Sequence, residues 1–92
     1  MSYNETMNYV VIDVREPHEF AEGHVNGALN IPPAALMAGA EELDSIPKDA
    51  NIIVYCRSGS RSNVASHILE GLGYQNITNG INKDQVEAKL GL

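Results

Sequence analysis

Apolar residues in this chain fall into short unbroken runs, separated by stretches where they recur every third or fourth position. Tyr9–Val14 (YVVIDV) and Ile52–Cys56 (IIVYC) are runs rich in β-branched residues with no polar alternation. That is how a strand buried on both faces reads. The shorter "ALNIP" (Ala28–Pro32) and "NIT" (Asn76–Thr78) predict two further strands. Glu16–Gly23 (EPHEFAEG) predicts a short helix, with Pro17 suited to its start and Gly23 to its stop. Pro33–Ile46 is rich in helix formers, and Gly39 weakens its middle. From Ser60 or Arg61 to Leu72, the residues Val64, Ala65, Ile68, Leu69 and Leu72 recur at helical spacing, and "GLGY" ends the helix. Asp84 to Leu90 predicts a last helix.

Strands therefore alternate with helices, an order that predicts an α/β fold of three layers, α/β/α, around a parallel sheet of four to five strands. The 92 residues make a single domain, 1–92, with no repeat or internal linker. In such sheets, chemistry gathers at the carboxyl ends of the strands. Two ends stand out: Asp13-Val14-Arg15 after the first long run, and Cys56 to Arg61 after the second. If those strands are neighbours, Arg15 and Cys56 share one rim.

Composition narrows the function classes. With one Phe, four Tyr and no Trp, the core must be mainly Val, Ile, Leu and Ala. A chain this short buries roughly 60–65% of its unfolded surface. The net charge of −6 argues against binding nucleic acid or an anionic membrane through a basic face. No apolar run approaches the roughly 20 residues needed to span a bilayer. The first residues, MSYNETMNYVVIDV, show no basic region followed by an apolar stretch and cleavage site. As given, the chain reads as cytoplasmic; a periplasmic product whose signal had been removed would read the same. The cations are Arg15, Lys48, Arg57, Arg61, Lys83 and Lys89, and two of these six lie within five residues after the single cysteine.

One cysteine rules out an internal disulfide and a multi-thiolate metal site, and three histidines, His18, His24 and His67, are too scattered for a metal centre. Cys56 is a buried filler, an intermolecular partner or a reactive thiol. The loop that follows favours the last. Small residues after a strand can curl so that successive amides point inward as an anion nest. The helix start adds partial positive charge, and Arg57 and Arg61 add full charges. An ordinary cysteine, with a pKa of about 8.5, is only ~3% thiolate at pH 7. Lowering that pKa by ~2 units, about 2.7 kcal/mol, makes thiolate the majority form. A packing role explains a cysteine after Val54 and Tyr55. It does not explain a polar loop with a cation on either side of Ser58-Gly59-Ser60.

The two blocks "VIDVREPHEFAEGHVNGALNIP" and "IIVYCRSGSRSNVASHILEGLGY" resemble the signature regions of rhodanese-type sulfurtransferases, in particular the single-domain phage shock protein E group. The likeness runs from about Tyr9 to Gly80. It implies a rhodanese-like fold and a cysteine that accepts sulfane sulfur as a persulfide and passes it to a nucleophile. The usual donor and acceptor are thiosulfate and cyanide, and no cofactor takes part. On this resemblance Cys56 is the nucleophile, and the amides of Arg57, Ser58, Gly59, Ser60, Arg61 and Ser62 form its cradle. A thiolate attacking an anionic donor also needs cations nearby, which Arg57 and Arg61 can supply, with Arg15 joining from the adjacent strand end.

Asp13 and Arg15 match an Asp-x-Arg element of the resembled family. Asp13 reads as structural support for the rim, because a carboxylate beside the thiol would raise its pKa. Arg15 either lines the pocket or pairs with a nearby carboxylate such as Glu16. His24 reads as a hydrogen-bonder holding the turn around Gly23 and Gly27. Ser58 and Ser60 either donate to a bound oxyanion or simply suit a tight loop. Gly59 permits a backbone angle or close approach, and Ser60 or Ser62 caps the following helix.

Two other function classes stay in play. One is a sulfur carrier that receives persulfide from a partner protein. The other is a cysteine-dependent phosphatase or arsenate reductase, disfavoured because four residues, not five, separate Cys56 from Arg61. Against the family pattern, the chain lacks the usual strand and helix before the "VIDVRE" block and the usual Gly-Gly near its end. A trimmed sheet could leave an edge that pairs with a second copy, so the expected state is monomer or weak homodimer.

Overall fold

The computed structural model describes residues 8–92. The two unbroken apolar runs become the central strands, β1 (Val10–Asp13) and β3 (Asn51–Cys56), paired in parallel with Val10 opposite Ile52 and Asp13 opposite Tyr55. Strands β2 (Leu29–Asn30) and β4 (Asn76–Asn82) flank them, so the four-stranded parallel sheet has the order β2-β1-β3-β4. Helices α1 (Pro17–Glu22), α2 (Pro33–Met37), α3 (Ser60–Gly71) and α4 (Lys83–Leu90) fall between or after the strands.

Strand periodicity sorts the core into two halves. Val10, Ile12, Val14, Ile52, Val54 and Cys56 face one side, where they pack with Leu36 of α2 and Ala65 and Leu69 of α3. Val11, Ile53 and Tyr55 face the other, against Val86 and Leu90 of α4, with Phe20 of α1 alongside. Both faces are covered, which is why neither run alternates in sequence. The expected three-layer arrangement with four strands is present.

Several boundaries differ from the sequence reading, each for a physical reason. The helix expected over Pro33–Ile46 breaks at Gly39, which adopts φ +77°; α2 ends at Met37, and Glu41–Ser45 forms a separate 3-10 turn. The Tyr74 hydroxyl shares its one hydrogen between the carbonyls of Leu43 and Ile46, at 3.0 and 3.2 Å, tying that turn to the approach of β4. On α3 the apolar stripe is narrower than the spacing suggests, since Val64 and Leu72 are exposed while Ala65 and Leu69 are fully buried. Neither Ser60 nor Ser62 caps α3: Gly59 holds that position with no side-chain cap. Helix α4 starts at Lys83, one residue early, because the Asn82 side chain accepts a hydrogen bond from the Gln85 amide.

Strand β4 runs on to Asn82 rather than stopping at Thr78. Its register slips at Gly80: Val54 faces Asn79, whereas Tyr55 faces Ile81. A Cβ at Gly80 would sit 2.4 Å from Val86 Cγ2 and 2.8 Å from Ile53 Cγ2, so α4 and β3 close over this point only because it is glycine. The expected lack of an N-terminal strand and helix falls on residues 1–7, outside the described residues.

Candidate active site around Cys56

Because β1 and β3 are neighbours, their carboxyl ends bring Arg15 and Cys56 to one rim. A cleft of about 310 Å³ opens there, lined by Arg15, Cys56, Arg57, Asn82, Lys83 and Asp84. A second cavity, about 350 Å³ and lined by Asp44, Lys48 and Tyr74 among others, lies at the opposite end of the strands, away from the cysteine.

Cys56 ends β3 and is 2% exposed. After it the chain turns tightly. Gly59 adopts φ +95° and ψ −10°, a left-handed conformation that favours glycine. This rotation aims the Gly59 amide at Cys56 Sγ, 3.1 Å away, and the Ser62 hydroxyl lies 3.5 Å from the same sulfur. Burial pushes the thiol up. The Ser62 hydroxyl and the amides of Ser62, Ser58 and Gly59 together outweigh it and lower the pKa from 9.0 to about 7. The thiolate is therefore far more accessible near neutral pH than that of an ordinary cysteine.

The two loop arginines are placed differently from the sequence expectation. Both turn to Glu19 of α1: Arg57 Nε donates to Glu19 Oε2 at 2.6 Å, and Arg61 Nη1 donates to Oε1 at 2.7 Å. Arg61 Nη2 reaches Oε2 as well, at 3.1 Å. The sulfur is therefore held chiefly by dipoles, with the guanidinium charges one step away. The thiolate still helps to hold Arg61 in its charged form, after the larger effect of Glu19. Glu19 itself is pushed well below the usual carboxylate range, first by Arg61 and then by Arg57.

Glu19 is the residue that sequence reasoning missed. A local signal exists: Glu16 and Glu19 form a reciprocal capping box at the start of α1, with the Glu16 amide donating to Glu19 Oε1 at 2.9 Å. That motif turns the carboxylate back toward the rim. Its pairing with arginines far along the chain is visible only in three dimensions.

Arg15 lines the cleft, yet its partner is Asp13 and not Glu16. Its Nε and Nη2 donate to the two Asp13 carboxylate oxygens at 2.9 and 2.6 Å, and Nη2 also donates to the Gly23 carbonyl at 2.7 Å. The guanidinium lies 5.5 Å from the centre of the Tyr55 ring. Asp13 is fully buried, so the pair is a rigid strut at the rim. His24 is not among the residues lining the cleft. Its Nδ1 lies 2.8 Å from the Phe20 carbonyl, and its ring stacks on Phe20 at 3.6 Å. Ser58 and Ser60 are exposed, with hydroxyls 3.4 Å apart. Among the described residues no group of His, Cys, Asp or Glu is arranged to hold a metal ion, and no helix is long and apolar enough to cross a membrane.

A further residue that the sequence did not single out, Asn79 of β4, underpins the loop. Its Nδ2 donates to the Gly59 carbonyl at 3.1 Å, and its Oδ1 accepts from Ser62 Oγ at 2.6 Å and from the Ile81 amide at 3.0 Å. Ile81 has φ +76°, a strained angle for a β-branched residue, and a Cβ at Gly59 would lie 3.4 Å from Ile81 Cγ2. The bulge at Gly80 thus presses the end of β4 onto the cysteine loop.

Comparison with known proteins adds independent support. The family model described as Rhodanese-like domain matches residues 2–83. A putative mitochondrial thiosulfate sulfurtransferase of Schizosaccharomyces pombe is 45% identical over 80 residues, spanning 76% of this chain and 56% of that protein. The thiosulfate sulfurtransferase PspE of Escherichia coli is 39% identical over 70 residues, spanning 74% of this chain and 64% of that protein. The chain thus matches less than two thirds of the length of either relative. A solved rhodanese from E. coli, described with anions, superposes with a TM-score of 0.74 at 31% identity, covering 84% of this chain and 89% of that one. Fold, loop and family match agree, and this chain belongs to the rhodanese-like domain family.

Proposed function

We propose that the protein is a sulfurtransferase in which Cys56 carries sulfane sulfur as a persulfide. The observation that bears most weight is the thiol itself: buried at a strand end, open to a small cleft, and surrounded by amides that bring its pKa to about 7. With thiosulfate as donor, the Cys56 thiolate attacks the outer sulfur. A new S–S bond forms, the donor's S–S bond breaks, and sulfite leaves with the electron pair. A thiophilic acceptor such as cyanide or a thiol then attacks the terminal sulfur, and the Cys56 thiolate departs. Electrons balance without an oxidant, and no cofactor is required.

The names of the relatives support thiosulfate as donor. The loop, with four residues between Cys56 and Arg61 against five in cysteine phosphatases, supports a cradle for a single sulfur atom over one for a tetrahedral phosphate or arsenate. In this reading the amides of Arg57 to Ser62 hold the departing negative charge, while Arg57, whose side chain is 59% exposed, swings from Glu19 toward an arriving anion. Arg15 contributes its charge from the rim without leaving Asp13.

A second reading has its own support. Every arginine near the sulfur is already paired with a carboxylate, which weakens the cleft as a trap for a free dianion. Under that reading the domain receives its sulfur from a partner protein and passes it on. Mass spectrometry after thiosulfate treatment tests the first proposal. Cys56 should gain the mass of one sulfur atom, and cyanide should remove it as thiocyanate. No adduct from thiosulfate, but one from a persulfide-bearing donor protein, selects the carrier. No adduct from either donor rejects both readings.

A further inference from the structure

The hydrogen bonds behind the sulfur contain a conflict over one proton. The orientation of the Asn79 carboxamide is fixed by the backbone, because the Ile81 amide can only donate and the Gly59 carbonyl can only accept. Oδ1 therefore faces Ser62, and at 2.6 Å the Ser62 hydroxyl gives its hydrogen to Asn79. A hydroxyl has a single hydrogen. Ser62 is fully buried, and it presents a lone pair to Cys56 Sγ at 3.5 Å. That arrangement suits a neutral thiol, whose S–H donates to Ser62. A thiolate needs the opposite: the hydroxyl must rotate and donate to sulfur, giving up its bond to Asn79.

We propose that Asn79 is a positioning residue that sets how readily Cys56 ionises, by competing with the sulfur for the hydrogen of Ser62. The hydroxyl rests on Asn79 whenever Sγ is uncharged and turns to Sγ when the sulfur is a thiolate. When ionisation draws the hydroxyl away, Oδ1 keeps the Ile81 amide, so the half-buried carboxamide oxygen is never left without a donor. The inference deepens the function proposed above and rests on Cys56 reacting as a thiolate. In that cycle the charge moves from Sγ to the outer sulfur on loading, and the Ser62 hydroxyl swings back to Asn79. The bulge at Gly80 gives the arrangement its geometry, since it brings Asn79 and Ile81 to the same loop.

The test is a double-mutant cycle read as thiol ionisation. Thiolate absorbance is titrated in the wild-type protein, Asn79→Ala, Ser62→Ala and the double variant, with Cys56→Ser as the blank. Asn79 also holds the Gly59 carbonyl, but that structural effect is common to both Ser62 backgrounds and cancels. So do the charged groups facing the sulfur: Arg15 beyond β1, Arg57 in the loop, Arg61 on α3, and Lys83 and Asp84 on α4. Asn79→Ala should lower the thiol pKa further, or raise it less, with Ser62 present than with Ala in its place. The difference should be at least about half a unit, roughly a threefold change in ionisation constant. Equal shifts in both backgrounds, or a difference of opposite sign, overturn the proposal. Asn79→Asp, close in shape and a stronger acceptor, gives a second cycle if the alanine variant does not fold. Its coupling should have the reverse sign, and an additive result there overturns the proposal equally. Thiol titration needs no sulfur donor, so a failed transfer assay and a failed coupling are separate results.

Discussion

Glu19 decides how much positive charge reaches the sulfur. It accepts from both loop arginines while its own helix start holds it in place. Glu19→Gln keeps the shape and removes the charge that ties them down. Arg57 and Arg61 should then act on the thiolate more strongly, lowering the Cys56 pKa by about half a unit or more. Anion affinity should rise with it. Titration of the single thiol and the KM for thiosulfate would read the two effects; an unchanged pKa would mean that the arginines are too far from the sulfur to matter. The cysteine, its small polar neighbours and Gly59 were all legible in the sequence, because their chemistry is local to one loop. Glu19 and Asn79 were not, because each acts through partners that only the fold brings near.

Among the elements, the strongly apolar runs read correctly because β1 and β3 are buried on both faces and carry no ambiguity of side. The end of β4 did not, since "NITNGIN" is mostly polar and its burial is mixed. Its conformation is imposed from outside, by α4 folding over Gly80. Gly80→Ala places a methyl carbon 2.4 Å from Val86 Cγ2 and 2.8 Å from Ile53 Cγ2, well inside van der Waals contact. Overpacking of this kind should cost about 1–3 kcal/mol, seen as a lower denaturant midpoint. The same variant should raise the thiol pKa, because Asn79 and Ile81 shift together and slacken the cradle. A stability loss with an unaltered pKa would separate the bulge from the site. The break in the helix after Met37 was foreshadowed by Gly39, although sequence alone did not reveal how sharply the chain turns there.

The folding equilibrium of the entire domain also registers the thiol. The folded pKa of about 7 lies well below that of an unperturbed cysteine, so the folded state binds the Cys56 proton less tightly than the unfolded chain does. The resulting stabilisation is fully present above pH 9, falls away as pH drops from 9 toward 7, and is absent below. A shift of that size corresponds to about 2–3 kcal/mol. Comparing urea unfolding of the native protein and Cys56→Ser at pH 6.5 and pH 9 should show the difference between them widening at the higher pH in favour of the native chain. A constant gap would contradict a depressed thiol pKa.

The kink in β4 has a consequence beyond catalysis. Among the described residues β4 is an outer strand of seven residues, whereas the opposite outer strand, β2, has only two. A straight border of that length would offer unpaired amides and carbonyls to any stray extended chain, the opening move of fibril growth. The slip at Gly80 and the twisted backbone of Ile81 spoil that border close to where they brace the sulfur loop. An engineer who ironed the strand flat would lose a tuned thiol and acquire a sticky protein in the same stroke.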